Sequence, residues 1–164
     1  AACEYCYLRD FPSAYSSFKE AKGIRRWFDQ FWSKPNKKQK NDFVALNILC
    51  MAAHYSPDPS SQLGVRVPFD LETGELNDDI WKMWKKLDPI KMVTQYQNNL
   101  KKLKLLYIDC GIQDEFNLFI GARILHQKLK KMNIMHHYEE FEGGHSNTSF
   151  RYDTSFPMIY SSLC

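Results

Sequence analysis

Two short stretches carry the residue types that acid–base chemistry needs. "FEGGHSNT" (141–148) presents His145 behind two glycines, and "DCGIQDEF" (109–116) presents Asp109 and Asp114. Histidine takes and returns a proton near neutral pH. An acid hydrogen-bonded to the imidazole fixes its tautomer and supports the cation that forms during transfer. A lone aspartate on a loop is usually a turn residue and a lone histidine is usually structural, so the chemistry depends on the two being brought together. Asp114 is the preferred acid, because Asp109 lies nearer the end of an extended run, where its side chain can cap the turn. Gly143 and Gly144 allow a sharp turn and keep bulk away from the ring. His126 falls inside a helical pattern, and His136 and His137 inside a strand pattern. These three read as core or surface residues.

The elements around these loops explain how they could meet. "LKLLYIDCG" (103–111) is a short β-rich run ended by turn residues. "EFNLFIGARILHQKLKKMN" (115–133) has the helical period through Phe116, Phe119, Ile120, Ile124 and Leu129. "IMHHYEEFEGG" (134–144) reads as a second strand. Strand, helix, strand is a crossover unit, and crossovers build parallel sheets. Both strands then end at one edge, the edge where open α/β sheets hold their ligands. That edge receives Asp114 from the first strand and His145 from the second. Two parallel strands make a poor free-standing sheet, so the expected class is α/β with an incomplete sheet, the edge of a larger one.

The region before residue 103 reads as mostly helical. "SAYSSFKEAKG" ends in Gly23, a candidate C-cap. "IRRWFDQFWSK" places Trp27, Phe28, Phe31 and Trp32 on one stripe. A third helix starts near "NDF", capped by Asn41 or Asp42, and runs to about His54. "YSPDPSSQLG" is a loop, and "VRVPFDLETGEL" is irregular or briefly extended. "NDDIWKMWKKL" is a helix capped by Asn77. Pro89 punctuates it before "IKMVTQYQNNLKK" resumes. "SFRYDTSFPMIYSSL" is a final helix, unbroken or broken near Pro157.

"LLYIDCGIQDEFNLFIGARILHQKLKKMNIMHHYEEFEGGHSNTSFRYDTSFP" resembles the C-terminal section of the esterase D and enterochelin-esterase-like branch of the α/β-hydrolase superfamily. The G-x-x-D-E-F from Gly111 and the GGH ending at His145 resemble the acid and histidine loops of that branch. The resemblance implies a serine esterase, a carboxylic-ester hydrolase without a cofactor, with Asp114 as triad acid and His145 as general base. It also implies that residues 1–102 are a helical insertion or cap, and that residues 103–164 are the C-terminal β-α-β-α part of the hydrolase core. The branch uses a serine in a G-x-S-x-G elbow, and no serine here stands in that context. Ser146, beside His145 on a loop, is not positioned as an elbow nucleophile. The elbow, most of the sheet and the oxyanion loop are therefore expected before Ala1, and the chain alone is expected to lack triad-dependent activity.

Composition bounds the rest. The chain has 164 residues, 44% hydrophobic and 15% aromatic, which suits a folded domain rather than disorder. Its 22 Lys and Arg against 19 Asp and Glu leave +3, too mild to imply nucleic acid. The basic run "KPNKKQK" (34–40) reads as a solvated loop. Five cysteines at irregular spacing are not a disulfide framework, and "CEYC" (Cys3, Cys6) lacks the second pair or the histidines of a zinc site. A reducing, cytoplasmic setting is expected, with neither metal nor cofactor. "VALNILCMAA" is too short to span a bilayer, so no membrane partner is expected. The expected partners are a small-molecule ester and either a second copy of the chain or a complementing N-terminal half. The rival class is a non-catalytic helical binding module, with Trp27, Trp32, Trp81 and Trp84 as its interface.

Overall fold

A computed structural model of the chain describes residues 4–36 and 40–164, without the side chains of residues 4–6, 40 and 41. The Cys3–Cys6 pair, the Asn41 cap and the basic run at residues 37–40 lie outside the described side chains. The chain divides into two compact units, residues 7–87 and residues 88–164, the second also taking in residues 4–6 at the start of α1.

The N-terminal unit takes most of α1 (Glu4–Glu20), then α2 (Ile24–Ser33), α3 (Lys40–Tyr55) and α4 (Asp78–Lys86). Along α1 and just past its end, Tyr7, Phe11, Ala14, Phe18 and Ala21 recur at alternating steps of four and three, and all are buried. Ile24, Trp27 and Phe31 of α2, Ala45, Ile48, Leu49 and Ala52 of α3, and Ile80, Trp81 and Trp84 of α4 bury matching faces. The result is an aromatic core, in which Trp84 lies edge-on to Tyr7 and Phe11. The one polar atom that Trp84 takes inside is satisfied: its Nε1–H donates to the Ser56 hydroxyl at 2.8 Å. Gly23 does help to end α1, donating its N–H to the Phe18 carbonyl at 2.8 Å, while Lys22 takes the left-handed φ of 61°. Asn77 caps α4 by accepting the Ile80 N–H at 3.1 Å. Helix α3 starts at Lys40, which puts Asn41 and Asp42 inside its first turn rather than at its cap. There the Asp42 carboxylate accepts from Lys34 Nζ at 2.7 Å.

The C-terminal unit opens with Asp88, which caps α5 (Pro89–Gln95) through the Ile90 N–H at 2.8 Å. Then follow α6 (Gln97–Leu100), β1 (Tyr107–Gly111), α7 (Leu118–Lys131), β2 (His137–Phe141), a 3-10 turn (Ser149–Arg151) and α8 (Tyr152–Leu163). The compact unit begins at Asp88, upstream of residue 103, because α5 packs with the elements that follow it. Ile90 touches Leu118, Ile124 and Leu125, and Val93 joins Leu129 and Ile134. The two strands pair in parallel with Tyr107 opposite His137 and Gly111 opposite Phe141, so the fold is α/β. Both strands are shorter than the sequence suggests, since extended residues count as strand only where a partner runs alongside. Helix α7 starts at Leu118 rather than Glu115 because Asn117 is left-handed, φ 55°, and stops the helix from extending backwards. Pro157 sits within α8 without breaking it, and no residue of α8 is buried.

The sheet has two unlike faces. Ile108 packs into the Val93, Leu129 and Ile134 cluster beneath α7. On the same face Tyr138 stacks on His126 and Glu140 forms a two-point pair with Arg123, at 2.6 and 2.7 Å. The other face is polar. Tyr107 stacks on His137, and Arg151 reaches Asp109 at 2.9 Å, the Tyr107 hydroxyl at 3.0 Å and Glu139 at 2.7 Å.

Candidate active site

Because β1 and β2 are parallel, the loops that leave them emerge at one edge, and backbone bonds join these loops. The Ile112 N–H donates to the Phe141 carbonyl at 3.0 Å, and the Gln113 N–H to the Gly143 carbonyl at 2.9 Å. The approach leaves no room for a side chain at Gly111, where a Cβ would fall 2.2 Å from the Gly143 oxygen. At Gly143, φ is +155° and a Cβ would press on the Phe141 ring at 3.1 Å.

Asp114 sits in the turn after β1, its N–H donating to the Gly111 carbonyl at 3.2 Å. Its carboxylate is shared: Oδ1 accepts the Phe116 N–H at 2.8 Å, and Oδ2 faces His145 Nδ1 at 3.1 Å. The Asp114 side chain is 3% exposed and that of His145 46% exposed. A carboxylate only accepts, so a neutral imidazole in this pose carries its proton on Nδ1. Nε2 is then the free basic nitrogen. The Phe116 ring meets the imidazole edge-on at 4.8 Å between centroids.

A second acid holds the main chain of the same residue. Glu115 Oε2 accepts the His145 backbone N–H at 3.0 Å, and that bond holds the Glu115 carboxyl below its ordinary range. Gly144 makes the grip possible, since a Cβ there would stand 3.0 Å from the same oxygen. The glycines thus serve loop closure and Glu115, and the ring is instead flanked by Phe116.

Asp109 neither caps the turn nor meets the histidine. It points to the polar face and pairs with Arg151. His126 and His136 share a hydrogen bond at 2.8 Å, and His137 is the first residue of β2. Among the described residues no serine hydroxyl bonds to the His145 ring. Cys110 is buried beneath this edge, and burial pushes its thiol up to about 11, which makes it a poor nucleophile. No group of three or more metal-ligating side chains is found among the described residues. Trp27, Trp81 and Trp84 are core residues, and of the four tryptophans only Trp32 is exposed, at 53%. Trp27, Trp81 and Trp84 therefore pack their unit, and the four do not form one exposed surface.

The sequence assigns no role to Glu115 or Arg151, and its helical period places Phe116 on the stripe of α7, whereas Phe116 lies before that helix and against the His145 ring. The adjacent acids of "DEF" were a visible signal for Glu115. Nothing local marks Arg151, whose partners lie in both strands. No protein-family model matches the chain, and no curated protein matches it.

Proposed function

We propose that the chain is the acid-and-histidine portion of an α/β-hydrolase-type serine esterase, with the nucleophilic serine outside this sequence. In that reaction the serine attacks an ester carbonyl. His145 Nε2 takes its proton and returns it to the leaving alcohol, while Asp114 holds Nδ1–H and supports the imidazolium. The observation that carries this reading is the Asp114 Oδ2 to His145 Nδ1 contact of 3.1 Å, with the acid enclosed and the base open to solvent. Glu115 and Phe116 support it by fixing the backbone and the ring of the base.

The test is hydrolysis of p-nitrophenyl acetate and labelling by a fluorophosphonate, in this chain and in a longer product that carries the upstream sequence the proposal requires. The chain alone is expected to give no turnover that depends on His145. The longer product is expected to be labelled on a serine within G-x-S-x-G. His145→Ala should slow that labelling by about a hundredfold or more, the usual share of a general base. Turnover by the chain alone that vanishes in His145→Ala would contradict the proposal, as would labelling of the longer product that ignores His145.

A further inference from the structure

The end of the C-terminal unit opposite the Asp114–His145 edge carries a lysine cluster that the proposed chemistry does not use. Residues 101–106 lead into β1 and residues 132–136 lead into β2. The two segments lie side by side, for the His137 N–H donates to the Leu106 carbonyl at 2.8 Å. Beneath them, Leu100, Leu106 and Met132 pack against Leu129 and Ile134. Over this apolar floor Lys101, Lys102 and Lys104 from the first segment and Lys130 and Lys131 from the end of α7 are all exposed. No acidic residue occurs from Gln97 to Leu106 or from Gln127 to His137. None of the five lysines has a carboxylate partner among the described residues. Two apolar side chains stand in solvent among them, Met135 at 89% exposure and Leu103 at 51%. Of the five, Lys130 acts on His126, whose pKa is lowered first by burial, then by His136 and then by Lys130.

Clustered, unpaired lysines attract an anionic surface within a Debye length. A lysine can lay its methylene stem along apolar surroundings while its ammonium head reaches a phosphate. Exposed Met and Leu side chains amid such charges suit the boundary between headgroups and acyl chains. A single-stranded nucleic acid would call for aromatic stacking, and neither residues 101–106 nor residues 130–136 include a Phe, Tyr or Trp.

We propose that this lysine-rimmed patch docks on an anionic lipid bilayer, with Met135 and Leu103 entering the headgroup layer and the five lysines over the phosphates. It is a surface contact, since among the described residues no helix is long and apolar enough to cross a membrane. It revises the expectation of no membrane partner, which concerned spanning segments. The strands, rising about 3.3 Å per residue, then carry the Asp114–His145 edge away from the lipid and towards solution. The proposal is independent of the esterase reading.

Cosedimentation of the chain with vesicles tests it, using phosphatidylcholine alone and equal parts phosphatidylcholine and phosphatidylserine. The chain is expected to pellet with the mixed vesicles only, and to be released as salt rises. Lys130→Gln with Lys131→Gln should weaken binding by about fivefold per lysine. Met135→Ser should weaken it while leaving the salt dependence in place. Pelleting that ignores salt and the lysine substitutions would overturn the proposal, and so would equal binding to both vesicles. Retention on RNA or polyglutamate without binding to the mixed vesicles would overturn it as well.

Discussion

Residues 7–87 and residues 88–164 solve the problem of burial in opposite ways. The first unit closes its apolar faces on one another. Trp84 is 2% exposed and Phe18 1%, and α1 to α4 each bury a stripe at helical spacing. The second unit buries a modest cluster between α5, α7 and one face of a two-stranded sheet. Its other sheet face is held by the charges around Arg151. Helix α8 keeps Phe156, Ile159, Tyr160 and Leu163 in solvent. The polar, geometrically constrained end of the second unit is also where the acid and the histidine meet. Dense packing and the acid–histidine pair thus lie in different parts of the chain, a closed aromatic core in one and constrained loops in the other.

Substitutions that probe each unit should differ accordingly. The largest effect is expected from Trp84→Ala, which empties the aromatic core and leaves the Ser56 hydroxyl without its donor. A loss of about 3–5 kcal/mol is expected, read by denaturant unfolding, and a loss below about 1 kcal/mol would show that this core is looser than described. Next is Gly111→Ala. The new Cβ meets main chain, which has little freedom to yield, so a cost of about 1–3 kcal/mol is expected. Because residues 143–145 must shift, this variant should also disturb the His145 amide and ring resonances, and Trp84→Ala should leave them in place while the protein remains folded. A pH effect is smaller. Arg123 and Tyr138 hold the Glu140 carboxyl at about 2, below its ordinary value of 4.5. A depressed acid stabilises the fold above its unfolded value and loses that contribution as pH falls through the folded value. The thermal midpoint should therefore drop from pH 4.5 towards about 2, and Arg123→Gln should flatten this part of the profile. An unchanged slope in that variant would remove the pair from the account. The smallest stability effect is expected for Phe156→Ser on α8, within about 0.5 kcal/mol. The same change should reduce binding of a hydrophobic dye, and a large loss of stability would mean that the α8 stripe is packed after all.

The same contrast governs what could be read from sequence. Period and capping chemistry are local, so the helices, the Asn77 cap and the crossover that joins Asp114 to His145 were legible. Contacts made across the sheet were not. Asp109 resembles a turn-capping residue until Arg151, far along the chain, is brought to it. The glycine pair before His145 suggested room for the imidazole, whereas Gly144 makes room for the Glu115 carboxylate. The division of the chain at Asp88 depends on α5 packing against α7, and neither segment announces its partner.

The central claim, that the ends of two parallel strands deliver a carboxylate to the imidazole of His145, is tested most directly by nitrogen-15 NMR of that ring in the folded chain. The expected result is a neutral ring protonated on Nδ1, with a deshielded Nδ1–H proton that disappears in Asp114→Ala while the fold persists. A ring protonated on Nε2, or an Nδ1–H signal unaffected by loss of Asp114, would contradict it.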